Sequence, residues 1–207
     1  MTTTMTSVLR VKVGPWGGSG GIPWDEGGSG ADNIYTGIRG IFIWTMIEGI
    51  IAILLQYDDN GKPRMGTIHG STAAQDWHRI FRLYSQEARL DFPDEILTGI
   101  SGSYYDGLIR SLKFKIYSGS KDAYRLLDFG SAGGTRFEFT GDEAGAIVGF
   151  SGRSGERLDA IGLYFVVWNP DRFYKAMRMQ GHLAFRTSPL RLQINPQELQ
   201  DGSSEEE

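Results

Sequence analysis

The stretch GFSGRSGERLDAIGLYFVVW, residues 149–168, joins a glycine-flanked tetrapeptide, a polar loop and an apolar strand in one run. The tetrapeptide G-[I/F]-[R/S]-G occurs three times, at 37–40, 99–102 and 149–152. An apolar segment follows each copy after a short interval, and a loop of small residues precedes each one, at 17–21, 66–71 and 130–135. Such repetition predicts three similar sheets around an approximate threefold axis, the alternative being chance similarity in a glycine-rich chain.

The rest of the chain favours an all-β domain of many short strands. It contains 29 glycines and 12% aromatic residues, and helical periodicity is nearly absent before residue 170. Apolar residues alternate with other residues at Leu9, Val11 and Val13, as strands with two distinct faces require. Asn60-Gly61 follows an apolar run and predicts a tight hairpin turn, because this pair readily adopts positive φ angles.

Composition bounds the class of protein. The 207 residues and 40% hydrophobic content fit one globular domain with terminal extensions. The net charge of −4 equals the charge of the last seven residues, DGSSEEE, so the body of the chain is neutral. A neutral body lacks the clustered basic surface that nucleic-acid binding needs.

Several features predict a cytoplasmic protein with no membrane insertion. The chain has no cysteine, which excludes disulfides and thiolate chemistry and fits a reducing compartment. Its first residues do not resemble a signal peptide, and the most apolar run, 49–55, is far shorter than the ~20 residues of a membrane span.

The obvious catalytic and metal-binding patterns fail on their context. GGSGG at 17–21 matches the serine elbow of hydrolases, but no helix is predicted after it, as that elbow requires. The glycine-rich loops lack the lysine and the spacing of nucleotide-binding motifs. His69, His78 and His182 are too scattered in the sequence to predict a metal site.

The segment 152–159 is the sharper candidate for a binding site. Glycines at 152 and 155 would bend the chain so that the amides of Glu156 and Arg157 point into one concavity beside Asp159. A carboxylate that accepts hydrogen bonds from neighbouring hydroxyls, together with backbone donors, suits a polyol such as a sugar. The alternative, weighed about evenly on the residues alone, is that Asp159 only stabilises a β-turn.

Four motifs together resemble the jacalin-related lectins, from about Leu9 to Trp168. They are GPWGGSGG at 14–21, WDEG at 24–27, IRSLKF at 109–114 and, above all, the G-x-x-x-D of GERLDAIG at 155–162. The resemblance implies a type I β-prism, an all-β fold of three four-stranded antiparallel sheets with pseudo-threefold symmetry. We therefore predict an N-terminal arm at 1–8, a lectin domain at 9–168, and a C-terminal extension at 169–207 that is partly helical and then disordered.

The resemblance also implies a sugar site and its residues. The expected carbohydrate-binding residues are Gly21, Gly155, Glu156, Arg157, Leu158 and Asp159. In that family the carboxylate, here Asp159, bridges the 4- and 6-hydroxyls of the sugar, while the amides of Gly21, Glu156 and Arg157 donate to its oxygens. The variable third wall corresponds to the loop 103–106, where Tyr104, Tyr105 and Asp106 would form an extended subsite.

The family implies mannose- or glucose-type glycans or glycoproteins as partners, because the chain is unbroken through Gly21 and lacks the aromatic residues that galactose binders carry in G-x-x-x-D. We expect a non-enzymatic, metal-independent, homo-oligomeric lectin without a cofactor, in the cytoplasm or nucleocytoplasm. The first repeat, residues 44–48, lacks its own G-x-x-x-D, so one site per protomer is expected. The alternative is an adaptor that binds another protein through the prism surface or the C-terminal extension.

Overall fold

The computed structural model describes residues 9–27, 35–71, 85–141 and 144–169. The described residues form thirteen strands: β1 Leu9–Gly17, β2 Ile22–Glu26, β3 Gly37–Met46, β4 Gly49–Asp59, β5 Lys62–Met65, β6 His69–Gly70, β7 Ser85–Arg89, β8 Glu95–Tyr105, β9 Leu108–Ser118, β10 Ala123–Gly130, β11 Thr135–Thr140, β12 Gly145–Ser154 and β13 Leu158–Val167. No described segment forms a helix of the length and hydrophobicity that crossing a membrane requires.

The strands form three antiparallel sheets. The first sheet has the order β1-β13-β12-β2, and the second has the order β10-β9-β8-β11. The third has the order β5-β4-β3-β7, with the two-residue strand β6 paired to β4 beside that path. The predicted architecture of three four-stranded antiparallel sheets is thereby confirmed.

The repeated tetrapeptide occupies the same kind of place in each sheet. Residues 37–40, 99–102 and 149–152 lie on β3, β8 and β12, and each of these strands forms the central hairpin of its sheet with the next strand in sequence. The outer strands are less regular along the chain. In the first sheet, the outer strands β1 and β2 come from the start of the sequence, and the central hairpin β12–β13 comes from its end. The loop at 17–21 therefore lies in the same sheet as the third tetrapeptide, not the first.

One core lies between the three sheets. Its buried side chains come from every sheet, as expected for one domain, and a smaller separate cluster of Trp44, Ala52 and Leu54 lies within the third sheet. Phe114 of the second sheet lies edge-on to Phe150 of the first, with ring centroids 6.2 Å apart. Trp16 stacks on Phe137 at 4.9 Å, so this tryptophan packs between the first and second sheets.

The predicted Asn60-Gly61 hairpin turn is confirmed. The two residues connect β4 to β5 and have φ angles of 51° and 87°. Both angles lie in the left-handed region, as a type I′ turn requires. The predicted arm at 1–8 and nearly all of the extension at 169–207 lie outside the described residues.

A buried polar cluster connects the first sheet to the third. The carboxylate of Glu26, on β2, accepts a hydrogen bond of 2.8 Å from the Tyr57 hydroxyl and one of 2.5 Å from the Thr67 amide. His69 Nε2 lies 3.1 Å from Glu26 Oε1, and the His69 ring stacks on Trp24 at 3.8 Å. Burial favours a higher pKa for Glu26, but its bonds with His69, Thr67 and Tyr57 outweigh burial and lower that pKa. The cluster therefore stabilises the fold while Glu26 is ionised.

Glu26→Gln should lower the free energy of unfolding by about 2 kcal/mol near neutral pH, because hydrogen bonds to a charged acceptor are lost. A carboxylate with a lowered folded-state pKa stabilises the protein above its unfolded-state pKa of about 4.3, and this stabilisation disappears as the pH falls through the folded-state pKa. Urea unfolding at about pH 7 and about pH 3 should therefore show a smaller difference between variant and wild type in acid.

Glu138→Gln, at an exposed position on β11, is the control and should leave both curves unchanged. A Glu26→Gln variant whose deficit is equally large at both pH values would contradict the role assigned to the ionised carboxylate.

Candidate functional site

Strand pairing brings the β1–β2 loop, residues 18–21, against the β12–β13 turn, residues 155–157. β1 pairs with β13 and β2 pairs with β12, so both connections leave the same end of the first sheet. The Gly18 amide donates to the carbonyl of Asp159 at 2.9 Å and so ties the loop to the start of β13. Two segments separated by more than 130 positions thereby form one site.

Glycine backbone surrounds the Asp159 carboxylate. A Cβ added to Gly20 would collide with Asp159 Oδ1, and one added to Gly21 would lie 2.6 Å from Asp159 Oδ2. A Cβ at Gly155 would lie 3.8 Å from the same oxygen. The absence of side chains at Gly20 and Gly21 therefore allows the backbone to approach the carboxylate closely, whereas Gly155 lies at ordinary contact distance.

Gly21 is required for its conformation as well as its size. Its φ angle is +59°, and a Cβ there would also collide with the backbone of Ser154. Side chains are disfavoured in this left-handed region, by roughly 1–2 kcal/mol. The loop therefore depends on glycine at the position that the sequence predicts as a sugar contact.

Arg153 supports the loop from β12. Its Nε donates to the carbonyl of Gly20 at 2.7 Å, and its Nη2 donates to the carbonyl of Gly21 at 2.8 Å. No carboxylate among the described residues forms an ion pair with this guanidinium. Sequence reasoning missed this contact, because nothing in the local pattern relates position 153 to carbonyls 132 and 133 positions earlier.

The β12–β13 turn holds Gly155, Glu156 and Arg157. The Gly155 amide donates to the carbonyl of Arg157 at 3.0 Å, which closes the turn. No described residue accepts a hydrogen bond from the amides of Glu156, Arg157 or Gly21. The Arg157 side chain forms an ion pair with Glu48 of the β3–β4 turn, a contact that the sequence did not predict. The third sheet thus contributes to the rim of the site.

Leu158 differs from the other predicted site residues. Its side chain is fully buried in the core, one position before Asp159. Leu158 therefore anchors the turn to the core, and its side chain is not available to a ligand.

The predicted extended subsite lies beside the same loop. A Cβ at Gly18 would collide with the backbone of Gly107, so the β8–β9 turn packs directly on the β1–β2 loop. Tyr105 is 64% exposed, and Asp106 occupies the turn itself with a φ angle of +51°. Tyr104 is only partly exposed and packs against the core, where its ring centroid lies 6.5 Å from that of Phe137. Tyr105 and Asp106 are consequently the more accessible members of this group.

The other two sheets contain positions equivalent to Asp159, and neither carries a carboxylate. The amide of Ser131 donates to the carbonyl of Arg110 at 3.2 Å, and the amide of Ser71 donates to the carbonyl of Ile51 at 3.2 Å. Both bonds repeat the one from Gly18 to Asp159. The residues that precede the three donors, Gly17, Gly130 and Gly70, have positive φ angles of 125°, 75° and 128°. The pseudo-threefold axis therefore places arginine and isoleucine where the first sheet has its acid.

At the centre of the site, the Asp159 carboxylate lies beside backbone amides that have no acceptor among the described residues. This set can accept hydrogen bonds from hydroxyl groups and donate to their oxygens. Among the described residues there is no group of three or more histidine, aspartate or glutamate side chains that could hold a metal ion.

A three-sheet prism with a glycine loop facing a G-x-x-x-D turn defines a carbohydrate-binding lectin. Comparison with known proteins identifies the group: the chain belongs to the family of the jacalin-like lectin domain, whose model matches residues 13–164. Proteins of this family are lectins, which bind carbohydrates without catalysing a reaction.

The relatives include mannose-specific lectins. Jacalin-related lectin 19 of Arabidopsis thaliana is 38% identical over 180 residues, which cover 84% of this chain and 90% of that protein. The artocarpin–mannotriose complex is 36% identical with a TM-score of 0.59, over 75% of this chain and 97% of that one. A mannose-specific jacalin-related lectin from Morus nigra in complex with mannose is 35% identical with a TM-score of 0.60, over 81% and 100%. Several other relatives are longer, and the chain spans only 23% to 50% of their lengths.

Gly21→Ala should destabilise the protein more than Gly61→Ala does. Both glycines have positive φ angles, but a Cβ at Gly61 meets no atom within 4 Å, whereas one at Gly21 collides with the Ser154 backbone. Gly61→Ala measures the conformational cost alone, about 1–2 kcal/mol, and Gly21→Ala adds the overlap. Urea unfolding of the two variants gives the difference.

Equal losses in the two variants would show that the loop relaxes freely away from β12. That result would contradict the close packing described for this site.

Proposed function

We propose that the protein is a metal-independent lectin that binds terminal mannose- or glucose-type residues between the 18–21 loop and the G-x-x-x-D turn at 155–159. The observation that carries this proposal is the Asp159 carboxylate lined by the backbone of Gly20, Gly21 and Gly155. A side chain at Gly20 or Gly21 would overlap the carboxylate, and one at Gly155 would come into contact with it.

The chemistry of the site fits a pyranose with neighbouring hydroxyl groups. Each oxygen of the Asp159 carboxylate can accept a hydroxyl proton, and such charge-assisted bonds contribute roughly 1.5–3 kcal/mol each. The amides of Gly21, Glu156 and Arg157, which have no acceptor among the described residues, are suited to donate to the sugar oxygens. These donors and acceptors satisfy a polyol directly, without a bridging cation.

The choice of mannose or glucose over galactose rests on two observations. The G-x-x-x-D turn of this chain has Glu156 and Arg157 where the family's galactose binders carry aromatic residues. The similar structures include mannose-specific lectins bound to mannose or mannotriose.

A shallow site for one sugar residue should have a dissociation constant on the order of millimolar. Useful binding of a glycoprotein then requires several sites on one particle, since multivalency raises the overall affinity. We therefore propose a homo-oligomer with one site per protomer. We also propose a location in the cytoplasm or nucleocytoplasm, which a cysteine-free chain fits.

Asp159→Asn should abolish measurable binding of methyl α-mannoside, because the amide replaces one acceptor oxygen with a donor and removes the charge. Isothermal titration in a buffer containing EDTA measures this loss and tests metal independence in the wild type at the same time. Asp128→Asn, which removes an exposed acid that pairs with Lys113 on the second sheet, is the matched control.

Retained mannoside affinity in Asp159→Asn would overturn the assigned site. Loss of wild-type binding on addition of EDTA would overturn the metal-independent mechanism but leave the location of the site intact.

Gly20→Ala should weaken mannoside binding while leaving the stability nearly unchanged. The added methyl group meets the Asp159 carboxylate, the end of a side chain that can turn aside, so the ligand's acceptor is displaced and the core is not disturbed. Gly133→Ala is the matched control, since Gly133 holds the corresponding position in the 131–134 loop and a Cβ there meets no atom within 4 Å.

The two variants should be compared by titration with methyl α-mannoside and by urea unfolding. Equal mannoside affinity in both would contradict the proposal that the sugar contacts the carboxylate beside Gly20.

A further inference from the structure

We propose that Arg153 is a positioning residue that orients the Gly21 amide toward the ligand by holding the carbonyls of Gly20 and Gly21. This inference deepens the proposed function and rests on it. Arg153 touches the loop and does not need to touch the sugar.

The Arg153 guanidinium holds two neighbouring carbonyls of the loop at once. Nε and Nη2 lie on one edge of its rigid plane, and they donate to two successive carbonyls at 2.7 and 2.8 Å. No described carboxylate competes for this charge, so the guanidinium is committed to the loop. Charge-assisted bonds of this length are among the stronger hydrogen bonds in proteins.

The peptide unit between Gly20 and Gly21 is rigid. The carbonyl of Gly20 and the N–H of Gly21 belong to one planar trans peptide and point in opposite directions. A donor that fixes the Gly20 oxygen therefore also fixes the direction of the Gly21 N–H. Glycine is the residue with the greatest backbone freedom, so this loop depends more than most on such an external restraint.

The second sheet has an equivalent loop, residues 131–134, which is held differently. Residues 18–21 and 131–134 have the same length, and each ends at a glycine with positive φ, +59° at Gly21 and +85° at Gly134. Arg153 pairs with Ala160, the residue after Asp159, and Ser103 pairs with Ser111, the residue after Arg110. Because positions 159 and 110 are equivalent, Ser103 is the counterpart of Arg153.

Ser103 acts on its loop in the opposite sense. Its hydroxyl oxygen accepts a hydrogen bond from the Gly133 amide at 3.1 Å, which uses up a loop donor. Arg153 binds only loop carbonyls and leaves the amides available. The loop that faces a carboxylate is thus held through its carbonyls, whereas the loop of the second sheet is held through the amide of Gly133, the counterpart of Gly20.

Arg153→Gln in the full-length chain tests the inference. Ordering the backbone of one residue costs roughly 1–2 kcal/mol, so loss of the restraint should weaken methyl α-mannoside binding by about tenfold. In protein labelled with ¹⁵N-glycine and without sugar, the Gly21 amide signal should move and its hydrogen exchange should become faster, while the thermal midpoint changes little.

Two further variants calibrate the effect. Arg153→Lys keeps the charge but cannot reproduce the fork that holds both carbonyls, so it should give intermediate affinity and intermediate Gly21 exchange. Arg136→Gln, which removes an exposed arginine of β11 on the second sheet, should match the wild type in both measurements.

Each outcome decides the inference. Weaker binding together with faster Gly21 exchange supports it, whereas weaker binding with an unchanged Gly21 amide, or unchanged binding, overturns it. If the wild type binds no mannoside, the proposed function fails, and the Gly21 exchange rate alone then decides whether Arg153 restrains the loop. If Arg153→Gln does not fold, Arg153→Lys supplies the same comparison.

Discussion

The antiparallel pairing of β1 with β13 is the interaction on which the rest of the structure depends. It runs from Leu9 opposite Val167 to Gly17 opposite Ala160 and joins the start of the domain to its end. The pairing completes the first sheet, whose buried side chains share one core with those of the other two sheets. It also brings the 18–21 loop to the turn that precedes Asp159, so the same strand pairing closes the first sheet and brings the two halves of the candidate site together.

Pseudo-threefold symmetry repeats one backbone arrangement in the three sheets, and one of the three equivalent positions described carries an acid. The same backbone bond recurs at Gly18, Ser131 and Ser71, so the fold supplies three similar loop ends. The side chains then differentiate them, with Asp159 at one position and Arg110 and Ile51 at the others. The three equivalent backbone positions therefore differ in the side chain that they carry, and the proposed sugar site uses the only one of them with an acid.

The sequence predicted the features that depend on local pattern. The repeated tetrapeptide gave the three hairpins, Asn60-Gly61 gave its turn, and the G-x-x-x-D motif led to Asp159. Contacts between distant segments were beyond its reach. The Arg157–Glu48 ion pair, the Arg153 bonds to the 18–21 loop and the buried Glu26 cluster each join residues from different hairpins, and no local spacing predicts them. Leu158 shows the same limit, because its place in the motif did not reveal that its side chain is buried in the core.

We propose that a sugar binds at the first sheet and not at the equivalent end of the second. Titration of ¹⁵N-glycine-labelled protein with methyl α-mannoside tests it most directly, since both ends carry glycines at corresponding positions. We predict that the amide signals of Gly20, Gly21 and Gly155 shift with a common saturation curve, while those of Gly133 and Gly134 remain in place. Shifts confined to Gly133 and Gly134, or no shift of any glycine at saturating sugar, would contradict it.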